Sequence, residues 1–282
     1  RSGPHAPRLA TITNKGQGEF MRRTGNLWPQ IIAFDNLLSA AKKASRGKRQ
    51  LASVATFLER LEPECLSLQR DFIYQEYQPG KAIEFKIYDP KERTISAAPF
   101  RDRVVHHAIM GPLEPVFERR MIEESFACRK NKGTHAALDH AHKLIRRYKY
   151  FLKMDIKKFF NSIDHAVIYK TVQRLIKDQE TLGLFRNIID ASGDQGVGLP
   201  IGNLTSQWLA NLLLDRLDHF VKEALRIPGY VRYEVGSTLQ KAQKLARHSD
   251  PRLTTNIYTK HDLSELANEV NKLGAKIKKR QA

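Results

Sequence analysis

The chain has 282 residues, 41% of them hydrophobic and 28% charged, which fits an ordinary soluble globular protein with room for one large or two modest domains. Forty-eight Lys and Arg against thirty Asp and Glu leave a formal net charge of +18. That excess calls for a polyanionic partner, nucleic acid first and an anionic membrane surface second. Two cysteines, Cys65 and Cys128, make neither a disulfide framework nor a zinc spacing, so a reducing cytosol is the expected setting. No apolar run reaches the ~20 residues of a membrane span.

In chain order, residues 1–20 are rich in Gly, Pro and Ser and lack the apolar stretch of a signal peptide. They are expected to be a disordered extension outside the fold, with Met21 a more natural start. Residues 31–44 carry an apolar pattern of helical period, broken at the basic SRGKR around Gly47. Residues 54–70 read as a second helix interrupted near Pro63. Residues 77–95 alternate as strands do, through Ile83, Phe85 and Ile87, with turn chemistry at Pro79-Gly80 and Asp89-Pro90. Residues 100–117 look helical until Gly111-Pro112. Residues 134–148 form an amphipathic helix with Thr134 as a plausible N-cap.

The stretch KYFLKMDIKKFFNSID, residues 149–164, then reads as an apolar strand that delivers Asp155 at its end. Asp164 can cap the following helix, and a Gly-rich turn, SGDQGVGLPIGN, leads into a long apolar helix over 204–225. Helices interleaved with short strands suggest a sheet layered with helices. After Tyr233 the composition changes, and Ser237 to Gln240 and Asp262 to Glu265 have capping-box spacing.

A carboxylate at the end of an apolar strand is held rigidly toward a cleft, where it suits a hard cation such as Mg²⁺ or Mn²⁺. Two such ions ~3.5–4 Å apart can activate a 3′-hydroxyl and steady a leaving pyrophosphate. The alternative is that Asp155 only caps the strand-to-helix turn. Histidines 106, 107, 135, 140 and 142 have no His-Glu-x-x-His spacing and no Cys partner, and are expected on helix surfaces.

MDIKKFFNSID resembles the first palm motif of reverse transcriptases of the group II intron and diversity-generating retroelement type. RTISAAPFRDRVVHHAI resembles their fingers segment, FACRKNKGTHAAL their link into the palm, and GLPIGNLTSQWLANLLLDRLDHF the motif beneath template and incoming nucleotide. The resemblance covers about residues 27–233. It implies an α+β fold, a right-hand polymerase with fingers over 21–133 and a palm over 134–233, in which an antiparallel sheet packs with helices. It also implies RNA-templated DNA synthesis with Mg²⁺ or Mn²⁺, deoxynucleoside triphosphates, an RNA template and a DNA primer.

By that resemblance Asp155 is the catalytic and metal-binding aspartate, and the Ile156 carbonyl the backbone ligand. Phe160 is the aromatic gate against a ribose 2′-hydroxyl, unless it is a core phenylalanine beside Phe159. Lys91 and Arg93 would grip the triphosphate. Gly202, Ser206 and Gln207 would lie against the nascent base pair. Arg103 would either pair with Asp102 or hold template phosphate, and Asn211 would contact nucleic acid or bond locally within its helix.

The pattern then breaks. Where the family places a Tyr-x-Asp-Asp turn, PGYVRY runs into EVGSTLQ, and Glu234 is neither in register nor doubled. One carboxylate would hold two cations poorly, so the chain as written is expected not to polymerise. QKLARHSDPRLTTNIYTKHDLSELANEVNKL resembles the C-terminal end of tyrosine recombinases, with Tyr258 as nucleophile and His248 as supporting histidine. Residues 234–282 would then be a helical tail without the recombinase's upstream Arg and Lys. Three functions follow: an inactive reverse transcriptase, a basic RNA- or DNA-binding remnant, or a fragment of a strand-exchange enzyme acting through Tyr258.

Overall fold

The computed structural model describes residues 23–88 and 92–233. Helices α1 (Trp28–Ile32), α2 (Phe34–Ala44), α3 (Ala52–Glu59) and α4 (Leu61–Ile73) lead into a two-stranded antiparallel sheet of β1 (Ile83–Tyr88) and β2 (Glu92–Ala97). The long helix α5 (Phe100–Glu118) follows, then α6 (Thr134–Arg147), a short 3-10 turn Phe160–Ser162, α7 (His165–Gln173), α8 (Gln179–Asp190) and α9 (Leu204–His219). A π-helical turn, Phe220–Ala224, closes α9. The α+β class is therefore present as a mostly helical body carrying one small sheet. No described helix is long and apolar enough to cross a membrane.

Helix α5 is the axis of the core. Its Val104, Val105, Ala108, Ile109, Leu113 and Phe117 are buried, and α1, α2, α3 and α9 all pack against it. Helix α2 meets it through Leu37, Ala40, Ala41 and Ala44, whose small side chains let the two backbones approach closely. On α5 the neighbour is Gly111, where an added Cβ would stand 2.9 Å from Asn36 Oδ1.

That contact explains why α5 does not stop at Gly111-Pro112 as its sequence suggests. Proline has no N–H, so Pro112 leaves the Ala108 carbonyl, four residues back, without its helical donor. Asn36 Nδ2 donates to that carbonyl at 2.9 Å and to the Ile31 carbonyl at 2.9 Å. A side chain from α2 thus replaces the missing backbone bond, and the helix continues through Pro112 and Pro115 to Glu118.

Other boundaries also move for local reasons. The break between α3 and α4 falls at Arg60 (φ −114°, ψ 35°) rather than Pro63, because a proline in the first helical turn lacks only an N–H that has no intrahelical partner. Gly133 (φ 99°), not Thr134, is the N-cap of α6. Asp164 caps α7 as expected, accepting from the Val167 N–H at 3.0 Å. His106 is buried in α5 rather than on a helix surface.

The largest difference lies at residues 148–156, expected as a strand. They form no ladder, and Tyr150, Phe151, Leu152 and Met154 are exposed. A strand needs a neighbour to take up its backbone groups, and no described segment pairs with this one. The expectations for residues 1–20, the tail over 234–282 with its capping boxes, and the Asp89-Pro90 turn lie outside the described residues.

At the other end of the described chain, Arg232 is drawn into the body. Its Nε donates to both oxygens of the fully buried Asp218 (2.9 and 2.8 Å), Nη1 to Asn211 Oδ1 (2.7 Å) and Nη2 to Ser125 Oγ (2.5 Å). Tyr230 Oη also donates to Asp218, at 2.6 Å. Backbone bonds from Phe126 N to Arg232 O (2.8 Å) and from Arg232 N to Glu124 O (2.9 Å) complete the clamp. A buried charge pair is tolerable because every polar group here has a partner.

Replacing Asn36 by Ala is expected to cost about 1–3 kcal/mol, since two buried carbonyls lose their donor. Urea unfolding measures this. Asn36→Asp, which has no N–H, should lose as much; a variant as stable as the parent would refute the assignment.

Candidate nucleotide and nucleic-acid site

The Gly-rich stretch 192–203 is the organiser of the candidate site. Asp194 and Val197 close it on themselves by a pair of backbone bonds, at 2.9 and 3.0 Å. At Gly193 (φ 72°) a Cβ would lie 2.1 Å from the Val197 carbonyl oxygen, so no other residue fits there. The loop is then stitched to the first palm motif: Gly198 N donates to Ile163 O (2.8 Å) and Leu199 N to Phe160 O (2.8 Å). His165 adds its N–H to Gly196 O (2.9 Å), and its Nε2 lies 2.8 Å from Gly198 O.

The same loop reaches the sheet on its other side. Ser96 N donates to Ile201 O at 3.1 Å, and a Cβ at Gly202 (φ 113°) would meet Ile95 Cγ2 at 3.2 Å. One loop therefore brings together three of the expected parts: Phe160, the strand β2 that carries Arg93, and the start of α9. Ser206 and Gln207 stand in the first turn of α9, Ser206 buried and Gln207 half-buried. Phe160 packs partly against the core, its ring 5.9 Å from that of Phe159. Gate and core placement are compatible here, because the ring is only partly covered.

Asp155 lies five residues before Phe160, exposed, in the unpaired segment, and Ile156 beside it is 37% exposed. Lys153 is its charged neighbour. Burial lowers the Lys153 pKa, and the Asp155 carboxylate partly opposes that shift. Among the described residues no group of three or more His, Cys, Asp or Glu could hold a metal ion. The donor set found here is one carboxylate and one carbonyl, which does not fit a two-ion centre.

Arg103 does not pair with Asp102. The carboxylate of Asp102 accepts from Tyr77 Oη (2.9 Å) and Gly80 N (2.8 Å), while Arg103 lies 5.8 Å from the Phe100 ring centroid. Burial raises the Asp102 pKa, and these two bonds and Arg101 oppose the rise. Asn211 departs from the expected nucleic-acid contact: it is 1% exposed, donates to Ala127 O at 2.8 Å and accepts from Arg232. Its work is to join α9 to the neighbouring chain. Lys91, His248 and Tyr258 lie outside the described residues.

Behind Arg103 sits His106. Burial, then the nearby His107 and Arg103, hold its pKa down at about 4. Half-buried His107 is lowered by burial and by Lys43, Lys48 and Arg46, which places the basic end of α2 and its following loop against this face of α5. Sequence reading treated these cations as separate clusters. Only the α2–α5 packing joins them.

The reverse transcriptase (RNA-dependent DNA polymerase) family model matches residues 87–240, more than half of the chain. The chain belongs to the reverse transcriptase family. Among its relatives are the group II intron-encoded protein LtrA of Lactococcus lactis subsp. cremoris, 25% identical over 256 residues, covering 88% of this chain and 39% of that protein. A putative COX1/OXI3 intron 1 protein of Saccharomyces cerevisiae is 26% identical over 163 residues, 55% of this chain and 19% of that one. The chain thus spans well under half the length of these curated relatives. A solved chain from a partial Cas6-RT-Cas1–Cas2 complex shares 17% identity with a TM-score of 0.48, covering 82% of this chain and 48% of that one.

Two outcomes follow for this reverse transcriptase chain. Gly202→Val combines a disfavoured φ with a clash at Ile95, and should cost about 1–3 kcal/mol by thermal or urea unfolding, against little for Gly196→Ala, which has open space. For His106, a base with a depressed folded pKa contributes stability above pH 6.5 that is lost as pH falls toward 4. Between pH 7 and pH 4.5 the parent should lose about 2–3 kcal/mol more than His106→Leu, read from unfolding curves at both pH values.

Proposed function

We propose that this chain is the fingers, over about 21–133, and the first part of the palm, over 134–233, of a group II intron-like reverse transcriptase. It binds an RNA template, a DNA primer and deoxynucleoside triphosphates, and does not itself extend the primer. The observation that carries this reading is the double stitching of the Gly-rich loop, to the Phe160 segment on one side and to β2 on the other. That arrangement sets a base-pair platform (Gly202, Ser206, Gln207) next to a triphosphate grip (Arg93, with Lys91).

Phe160 limits the room beside the sugar and so favours deoxynucleotides. Arg103, whose buried Nε has no hydrogen-bond partner among the described residues, is assigned to template phosphate. Asp155 and the Ile156 carbonyl supply this segment's share of a Mg²⁺ or Mn²⁺ site. When bound, such an ion would neutralise phosphate charge. With EVGSTLQ after Tyr233 where the family has its aspartate pair, that share falls short of what phosphoryl transfer needs. The net charge of +18 makes nucleic-acid binding strongly salt-dependent.

The test is a primer-extension assay on an RNA template with Mg²⁺, run beside a filter-binding titration of a labelled deoxynucleotide on the primed complex. Expected are binding without extension, and binding weakened about 10-fold by Arg93→Ala, on the scale of one lost charge-assisted contact. Template-directed incorporation abolished by Asp155→Ala would overturn the inactivity. Nucleotide binding indifferent to Arg93 would overturn the site.

A further inference from the structure

A second polar feature lies away from this loop. Between the C-terminal ends of α5 and α7 and the later turns of α9 there is a cavity of about 120 Å³, walled by Leu175 and Leu212 and rimmed by Arg120, Arg174 and Arg216. Asp215 lines it too, and is 1% exposed. Gln207 and Asp215 are about 12 Å apart along α9, at ~1.5 Å rise per residue, so this cavity is set well along the helix from the base-pair platform.

Its charges are not balanced from within. Arg120 Nε approaches Asp215 Oδ2 at 3.4 Å. His219 Nε2 is 3.4 Å from Oδ1, but its hydrogen bond goes to the Arg120 carbonyl at 2.9 Å, which leaves Oδ1 buried with no hydrogen-bond donor. Arg174 and Arg216 have no hydrogen-bond or ion-pair partner among the described residues. Three guanidinium groups around one carboxylate leave two positive charges over.

Two requirements follow for anything that fills this space. It must present anionic oxygens to the arginine forks, for which phosphate is the matching geometry. It must also offer a hydrogen to the buried carboxylate oxygen, because an all-acceptor anion would be repelled there. A ribose 2′-hydroxyl beside its own 3′-phosphate meets both needs in one unit, and the corresponding stretch of DNA lacks the hydroxyl.

We propose that the cavity between α5, α7 and α9 is a second RNA contact, in which Arg174 and Arg216 hold a backbone phosphate, Asp215 accepts from the adjacent 2′-hydroxyl, and Arg120 positions the carboxylate. It is distinct from the nucleotide site and selects RNA over DNA by sugar rather than by base.

The test is fluorescence anisotropy of the full chain with a labelled 20-nucleotide RNA and the same sequence as DNA, without nucleotide or primer. Arg174→Ala combined with Arg216→Ala, two exposed positions, should weaken RNA binding about 10-fold or more and leave DNA binding within about 2-fold. The salt slope of RNA binding should fall by about 1.4, at ~0.7 per phosphate contact on a single strand. Asp215→Asn should narrow the RNA-over-DNA preference, and 2′-O-methyl RNA should bind the parent as DNA does. An RNA loss below 2-fold overturns the proposal, and so do equal losses on RNA and DNA. Because no nucleotide is present, this titration fails or succeeds independently of the extension assay.

Discussion

One hydrogen bond decides how far the central helix runs. Pro112 removes a backbone donor in the middle of α5, and the Asn36 amide supplies it from the neighbouring helix. Without that substitution the helix would end near Gly111, and Leu113, Val116 and Phe117 would not reach the face on which α9 packs. Phe117 and Trp208, with ring centroids 6.1 Å apart, are the direct contact between the two helices. The position of α9, and of every residue at its start, is therefore inherited from a contact more than ninety residues earlier in the chain.

The second constraint is the Gly-rich loop. Positive φ at Gly193, Gly196, Gly198 and Gly202 lets it fold flat enough for its N–H groups to reach the carbonyls of Phe160 and Ile163, while its last turn touches β2. Family membership and this geometry point the same way: a loop that touches both neighbours can hold a base pair against α9 without help from a further strand. The acidic side is less complete. Asp155 stands alone in an unpaired stretch, so the described residues form a binding half more readily than a reacting one.

Much of this was readable from the sequence, and the failures have definite causes. The amphipathic stretches that became α2, α6 and α7, the hairpin of β1 and β2, and the Asp164 cap follow from local periodicity and capping chemistry. Continuation of α5 through two prolines could not be read locally, because the replacement donor lies on another helix. The strand expected before Asp155 failed for the opposite reason: its apolar residues suit a strand, but strands exist only in pairs. Phe160, Gly202, Ser206 and Gln207 were found through a motif resemblance, whereas Arg120, Asp215, Asp218 and Arg232 were passed over. Their signal was present as two aspartates three residues apart on an otherwise apolar helix. Its meaning depended on which arginines would meet them.

The Arg232 clamp has a consequence for what lies next to it. A guanidinium that is 8% exposed and held by Asp218, Asn211 and Ser125 cannot slide by a residue, since any shift would strand a charge in the interior. Tyr233 therefore leaves the body at one fixed point beside Ser125. Whatever sequence is joined after it inherits that point of departure, which makes the clamp a mooring at which one continuation could be exchanged for another while the helices behind it stay in place.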